Sequence, residues 1–189
     1  MRASLFKRIK DKIYLIKCNS INFFFHRILK KPHLKSLSFS ILLVNFIFQR
    51  IFRINSRFKY SIHYTSKIEG AKNIIISKEN NDSVLISFAA SGGCYFSVFN
   101  HTTLEIGENT LWATNVCIQT ANHDLLDRKK MIKKSIKIGK NCWIGSGAVL
   151  LPGVVLGDNV TVGANATVTK SFPDNCVIGG TPAEIIKHI

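Results

Sequence analysis

The chain is 189 residues long, 46% apolar and 20% charged, enough for one core of ordinary size with an appendage. That composition excludes a disordered chain and two large domains, and no apolar run reaches the ~20 residues that span a bilayer as a helix. The formal charge of +15 is local: residues 1–60 hold 14 Lys+Arg and one acid, residues 61–189 hold 12 bases and 10 acids, so no nucleic-acid partner is expected of the nearly neutral larger part.

Met1 to Lys17 places Leu5, Ile9, Ile13 and Ile16 at helical spacing among Lys7, Lys10, Lys12 and Lys17, which predicts a basic amphipathic helix. Pro32 ends whatever precedes it. Leu37 to Phe48 is almost wholly apolar but only 12 residues long, and Arg50, Arg53, Arg57 and Lys59 follow it. Two readings of residues 1–60 stay open. They form helices that pack on the rest of the protein or a neighbouring subunit, or they form a peripheral anchor on an anionic membrane, where each Lys or Arg gains about 1 kcal/mol.

Ile21 to Phe25 is too short for a signal-peptide core, and no small-residue cleavage site follows it. The five cysteines (Cys18, Cys94, Cys117, Cys142, Cys176) are odd in number and contain no C-x-x-C pair, so neither a disulfide framework nor a zinc site is expected. They read as small core fillers. The expected location is the cytoplasm, at the inner face of the cytoplasmic membrane if the anchor reading holds.

Residues 61–105 are expected to hold irregular first coils. From Ile106 the chain falls into six-residue steps, whose first positions are Ile106, Trp112, Ile118, Ile138, Ile144, Leu150, Leu156, Val162 and Val168. The second position is Gly at 107, 139, 145, 157 and 163, and the fifth is small or aliphatic except at Asn122 and Phe172. Neither a period of 3.6 nor one of 2 produces this phase. A short strand and a corner do, with the first and fifth positions inward and the glycine supplying backbone angles that a Cβ opposes. Three steps make a triangular coil, and coils stack at about 4.8 Å. The repeat is expected over 106–179, with an excursion at 124–137 and a C-terminal tail at 180–189.

Asn141-Cys142-Trp143-Ile144-Gly145-Ser146, Leu151-Pro152-Gly153-Val154, Val162-Gly163-Ala164, Val168-Thr169-Lys170 and Gly180-Thr181-Pro182-Ala183 follow one another in order. In these strings the chain resembles the hexapeptide-repeat acyltransferases, in the branch of maltose, galactoside and polysaccharide O-acetyltransferases. The resemblance implies a mainly β fold, a left-handed parallel β-helix, here behind a basic, helical N-terminal segment. It also implies homotrimers with active sites between subunits, acetyl-CoA as co-substrate, and no metal.

Moving an acetyl group to a sugar hydroxyl needs a base for the hydroxyl and donors for the oxyanion. His123, just before the 14-residue excursion, is the candidate base. Asp124 beside it reaches back poorly and is not expected to orient it. The resemblance implies that the backbone N–H of Ser146 serves the acetyl carbonyl and that Ala164, one coil on, lines the same corner. It assigns Thr169 and Lys170 to the cofactor, and Lys187 as a surviving nucleotide contact, while Glu184 reverses the sign of the other. Gly93 and His101 fall where the galactoside enzyme binds its acceptor and support different contacts. Trp143 either lines the acceptor groove or packs beneath the 124–137 loop, whose bases (Arg128, Lys129, Lys130, Lys133, Lys134) read as a solvated face.

The expected activity is transfer of acetyl to a hydroxyl of a bacterial sugar, a surface polysaccharide or its precursor. The alternatives are an N-acetyltransferase of an amino sugar, an antibiotic acetyltransferase, and a non-enzymatic β-helix scaffold. A metal-dependent lyase on such a helix needs three histidines, and only His101 and His123 lie near the repeat.

Overall fold

Six-residue spacing can close a coil only if each step spends its residues on one short strand and one corner. In the computed structural model, which describes Leu34 and residues 36–189, the steps do so and build three walls. Face A stacks β1 (Lys67–Glu69), β3 (Tyr95–Ser97), β6 (Cys117–Gln119), β11 (Val149–Leu150) and β14 (Thr167–Val168). Face B stacks β2 (Ile74–Ile76), β4 (Leu104–Ile106), β9 (Ile136–Ile138) and β12 (Val155–Leu156). Face C stacks β5 (Leu111–Trp112), β10 (Trp143–Ile144), β13 (Thr161–Val162) and β15 (Cys176–Gly179), closed by an antiparallel β16 (Glu184–His188). Within the three walls all pairs up to β15 are parallel, as in Trp143 between Leu111 and Thr161.

All nine first-position side chains are buried, and so are the fifth-position Thr110, Val116, Cys142, Ala148, Val154, Val160, Ala166 and Phe172. Asn122 alone is exposed, where the chain leaves the wall. Cys94, Cys142 and Cys176 fill the same interior, and burial pushes their thiols up.

The second-position glycines serve a purpose other than backbone angle, which corrects the expectation. None has a positive φ. Instead, the next coil passes too close: a Cβ on Gly107 would lie 2.5 Å from the Gly139 backbone, one on Gly145 2.6 Å from the Ala164 nitrogen, and one on Gly139 would meet the Gly157 carbonyl. The left-handed angles fall on the fourth position, at Asn109 (φ 56°), Asn115 (61°), Asn141 (53°), Asn159 (57°) and Asn165 (57°), with Gly147 and Gly153 in the same role. Asparagine tolerates this conformation better than other side chains do.

Both ends of the stack are covered. In the span 61–105 the first coil has two strand walls, and helix α2 (Asp82–Ala90) takes the place of the third, against β5. A helix stands further off than a strand, and this accounts for an indole among aliphatics: Trp112 fills the wider gap, with Phe88 edge-on at 4.6 Å. Outside α2 lies α1 (Phe39–Phe46), continued by a π turn over Ile47–Ile51. The helix expected over Met1–Lys17 lies outside the described residues. At the other end residues 180–189 fold back, the Ala183 amide donating to the Thr167 carbonyl at 2.8 Å over a fully buried methyl.

The close approach of coils gives a graded prediction. Gly139→Ala forces backbone against backbone and costs about 3 kcal/mol, roughly 10 °C in Tm. Gly163→Ala, whose Cβ would meet the Ile178 carbonyl at 3.3 Å, costs about 1 kcal/mol or less. Thermal unfolding of both variants checks the order, and equal losses contradict it.

Candidate active site

The chain leaves face A after β6 at a point fixed by two buried threonines. The Thr120 hydroxyl lies 2.7 Å from that of Thr102 and accepts from the Phe99 amide at 2.9 Å. Beyond it β7 (Ala121–His123) and β8 (Met131–Lys133) form an antiparallel hairpin with His123 opposite Met131. The Thr103 amide donates to the Ser135 hydroxyl at 3.0 Å, and Ile136 is buried. Ile136 and Lys137, counted in the excursion from sequence, therefore belong to the wall.

His123 is oriented within its own hairpin. Its Nδ1 lies 2.6 Å from the carbonyl oxygen of Arg128. A carbonyl only accepts, so Nδ1 carries a proton, and in the neutral imidazole the lone pair is on Nε2. Asp124 does something else: its carboxylate accepts from the amides of Leu126 (2.9 Å) and Asp127 (3.1 Å). Those bonds, the Asp127 one foremost, hold its carboxyl below the ordinary aspartate range. The turn they build presents Leu125 and Leu126 almost fully to solvent.

His123 opens onto a groove that it shares with Asn122, Lys134, Leu151, Pro152 and Thr169. These residues come from successive turns between faces A and B, so they share one edge of the prism. His101, exposed with φ 67°, sits on that edge one coil earlier. Lys170 follows Thr169 there, and its ammonium is held by both Glu184 carboxylate oxygens at 2.7 and 2.8 Å. The cation assigned to the cofactor thus already has a counter-ion.

Ser146 and Ala164 lie on a different edge, in the turns from face C to face A. They stack one coil apart, as their spacing predicts, with the Asn165 amide donating to the Ser146 carbonyl at 2.8 Å. Among the described residues, neither the Ser146 nor the Ala164 amide donates to a protein acceptor. Face A separates the two edges by about five extended residues, roughly 15 Å. Within one chain the structure brings His123 to Thr169, whose neighbour Lys170 turns to Glu184, but not to Ser146 or Ala164.

Trp143 stands 44% exposed on face C, in register with Leu111 and Thr161. The hairpin leaves from the opposite edge, so the indole does not pack beneath it, which corrects one of the two readings. Lys187, exposed on β16 opposite Val177, also lies on face C. The loop bases Arg128, Lys129, Lys130, Lys133 and Lys134 are exposed. Sequence reasoning missed the Arg128 carbonyl as the group that orients His123, and no side-chain pattern signals a backbone acceptor.

The bacterial transferase hexapeptide (six repeats) family matches residues 135–170. A Dictyostelium discoideum protein named, provisionally, as an acetyltransferase is 46% identical over 107 residues, 54% of this chain and 55% of that one. The galactoside O-acetyltransferase of Escherichia coli K12 is 39% identical over 107 residues, 52% and 53% of the two chains. The chain thus spans about half the length of these curated relatives. The crystal structure of a maltose O-acetyltransferase from Clostridium difficile superposes with a TM-score of 0.57 at 27% identity, covering 96% of this chain and 87% of that one. With its stacked three-walled coils and repeat strings, the chain has the left-handed parallel β-helix fold of the hexapeptide-repeat acyltransferases, and residues 135–170 carry that repeat.

Proposed function

We propose that this protein is an acetyl-CoA-dependent O-acetyltransferase that modifies a sugar hydroxyl, with His123 as general base. The observation that carries the reading is the 2.6 Å bond from His123 Nδ1 to the Arg128 carbonyl, which leaves Nε2 able to take a proton in an open groove. The names of two relatives, a galactoside and a maltose O-acetyltransferase, support a sugar acceptor. Gly93, packed against the Asn115 side chain, and His101 offer different contacts from those implied by the resemblance. The acceptor in this reading is a different bacterial sugar, a surface-polysaccharide unit or its precursor.

Acetyl-CoA, when bound, supplies an acetyl carbonyl activated as a thioester. The chain's own contribution is threefold. Nε2 of His123 accepts the acceptor hydroxyl proton as the oxygen attacks the acetyl carbon, and gives that proton to the coenzyme A sulfur as the C–S bond breaks, leaving ester and free thiol. The unengaged amide of Ser146 donates to the carbonyl oxygen as charge gathers there. Thr169 borders the groove, and Lys170 beside it meets a phosphate only by giving up Glu184.

These groups lie on two edges about 15 Å apart, whereas acid–base transfer needs contact near 3 Å. The active unit in this reading is a homotrimer, in which the edge carrying His123 of one chain faces the edge carrying Ser146 and Ala164 of the next. Trp143 and Lys187, on face C beside that second edge, then lie nearer the shared cleft than the isolated chain suggests.

His123→Ala is expected to lower kcat by about 10² to 10⁴ with unchanged Tm and unchanged acetyl-CoA binding. Labelled acetyl-CoA offered to a panel of glycans and amino sugars measures this. Full turnover in the variant, or acetylation of amines alone, overturns the assignment. Glu184→Gln frees Lys170 and is expected to tighten coenzyme A about fivefold at low salt. Titration calorimetry reads that change, and an unaltered Kd removes Lys170 from the phosphate site.

A further inference from the structure

The segment from Phe39 to Ile54 is inside out. Its buried positions on α1 and the π turn are Leu42, Asn45 and Gln49. The two amides hold it to the protein. Asn45 donates to the Ala89 carbonyl at 2.9 Å and accepts from the Tyr64 amide at 2.9 Å. Gln49 donates to the carbonyls of Phe58 and Tyr60, each at 2.8 Å. Asn55 continues the pattern, donating to the Ser66 carbonyl and accepting from the Ile68 amide. With polar groups turned inward, the apolar ones face out: Phe46 is 54% exposed, Ile51 and Phe52 63%, and Leu43 and Ile54 at least 40%.

A contiguous exposed patch of this kind marks an interaction site, and its charge selects the partner. Arg50, Arg53, Arg57 and Lys59 are exposed around it, and no acid occurs between Asp11 and Glu69. In a two-fold pair a second copy would bring these cations against their own kind, and in a ring it would offer them a surface of 12 bases and 10 acids over residues 61–189, with no net opposing charge. Residues 1–33 carry nine Lys+Arg and one acid, so they repel the patch as well. A lipid surface with anionic headgroups supplies both an apolar layer and the opposite charge. No helix among the described residues is long and apolar enough to cross a membrane.

We infer that residues 39–57 dock the protein on the surface of an anionic bilayer, with Phe46, Ile51, Phe52 and Ile54 entering the headgroup layer and the arginines meeting lipid phosphates. This goes beyond the transfer reaction and does not depend on it. The test uses the full chain and lipid vesicles, with acetyl transfer assayed separately, so failure of one leaves the other standing. Phosphatidylcholine vesicles containing phosphatidylglycerol are expected to sediment the protein, and pure phosphatidylcholine to leave it in solution.

Phe46→Ser with Phe52→Ser, and separately Arg50→Ser with Arg57→Ser, are expected to weaken sedimentation about tenfold while leaving the fold intact by circular dichroism. In Phe52→Trp, the indole is expected to shift to the blue and become quenchable by brominated lipid. Equal binding to both vesicle types overturns the inference. So does binding that the Phe and Arg variants leave unchanged, which would assign it to residues 1–33. An indole already shielded without vesicles also overturns it, showing that the chain itself or a second copy covers the patch.

Discussion

The amides of each wall find their acceptors one coil away: Lys137 on Val154, Trp143 on Val160, Val149 on Ala166, Gly163 on Ile178. Within a coil, bonds such as Ala148 to Gly145 and Ala166 to Gly163 close only the turns, so the walls hold only if successive coils stay in register at the strand spacing. This requirement sets the rest. It brings backbone so close at the second position that glycine stands at 107, 139, 145, 157 and 163, and it bends each corner through a left-handed residue, most often asparagine. It also leaves two open ends, which α2 with Trp112 and the returning β16 with Ala183 cover.

The same register distributes the chemistry. Residues 18 apart fall on one edge, so Ser146 stacks under Ala164, and Leu151 borders the groove beneath Thr169. Residues from successive turns of one coil fall on different edges and cannot meet within a chain. His123 escapes the wall only because the buried Thr102–Thr120 pair releases the hairpin there, and the Arg128 carbonyl then fixes its tautomer. A rigid prism thus offers the pieces of the proposed transferase site on two separate edges, and a neighbouring copy is what unites them in the proposed trimer.

Much of this was legible in the sequence, because a periodic fold prints its period. The inward first and fifth positions, the prism, and the stacking of Ser146 with Ala164 all follow from six-residue phase. What escaped notice has physical reasons. Glycine was credited with the corner angle, since its freedom is the familiar property, while the close approach of a neighbouring coil depends on atoms distant in sequence. The asparagines at the fourth position carried the angle and were passed over. The orientation of His123 depends on a main-chain carbonyl, which no residue letter encodes. The outward apolar face of α1 was legible only as one of two open readings: Leu37 to Phe48 suits packing or a membrane surface equally until Asn45 and Gln49 are seen to be the buried residues.

Mixed assembly of two inactive variants tests the central claim most directly. One variant lacks the imidazole, His123→Ala, and the other blocks the opposite edge, Ala164→Trp. Refolded together in equal amounts, they are expected to regain about one quarter of wild-type turnover, because random mixing pairs an intact imidazole with an intact edge that often. A mixture as inactive as its parents, from chains shown to have co-assembled, would place the whole site within one polypeptide and contradict the account.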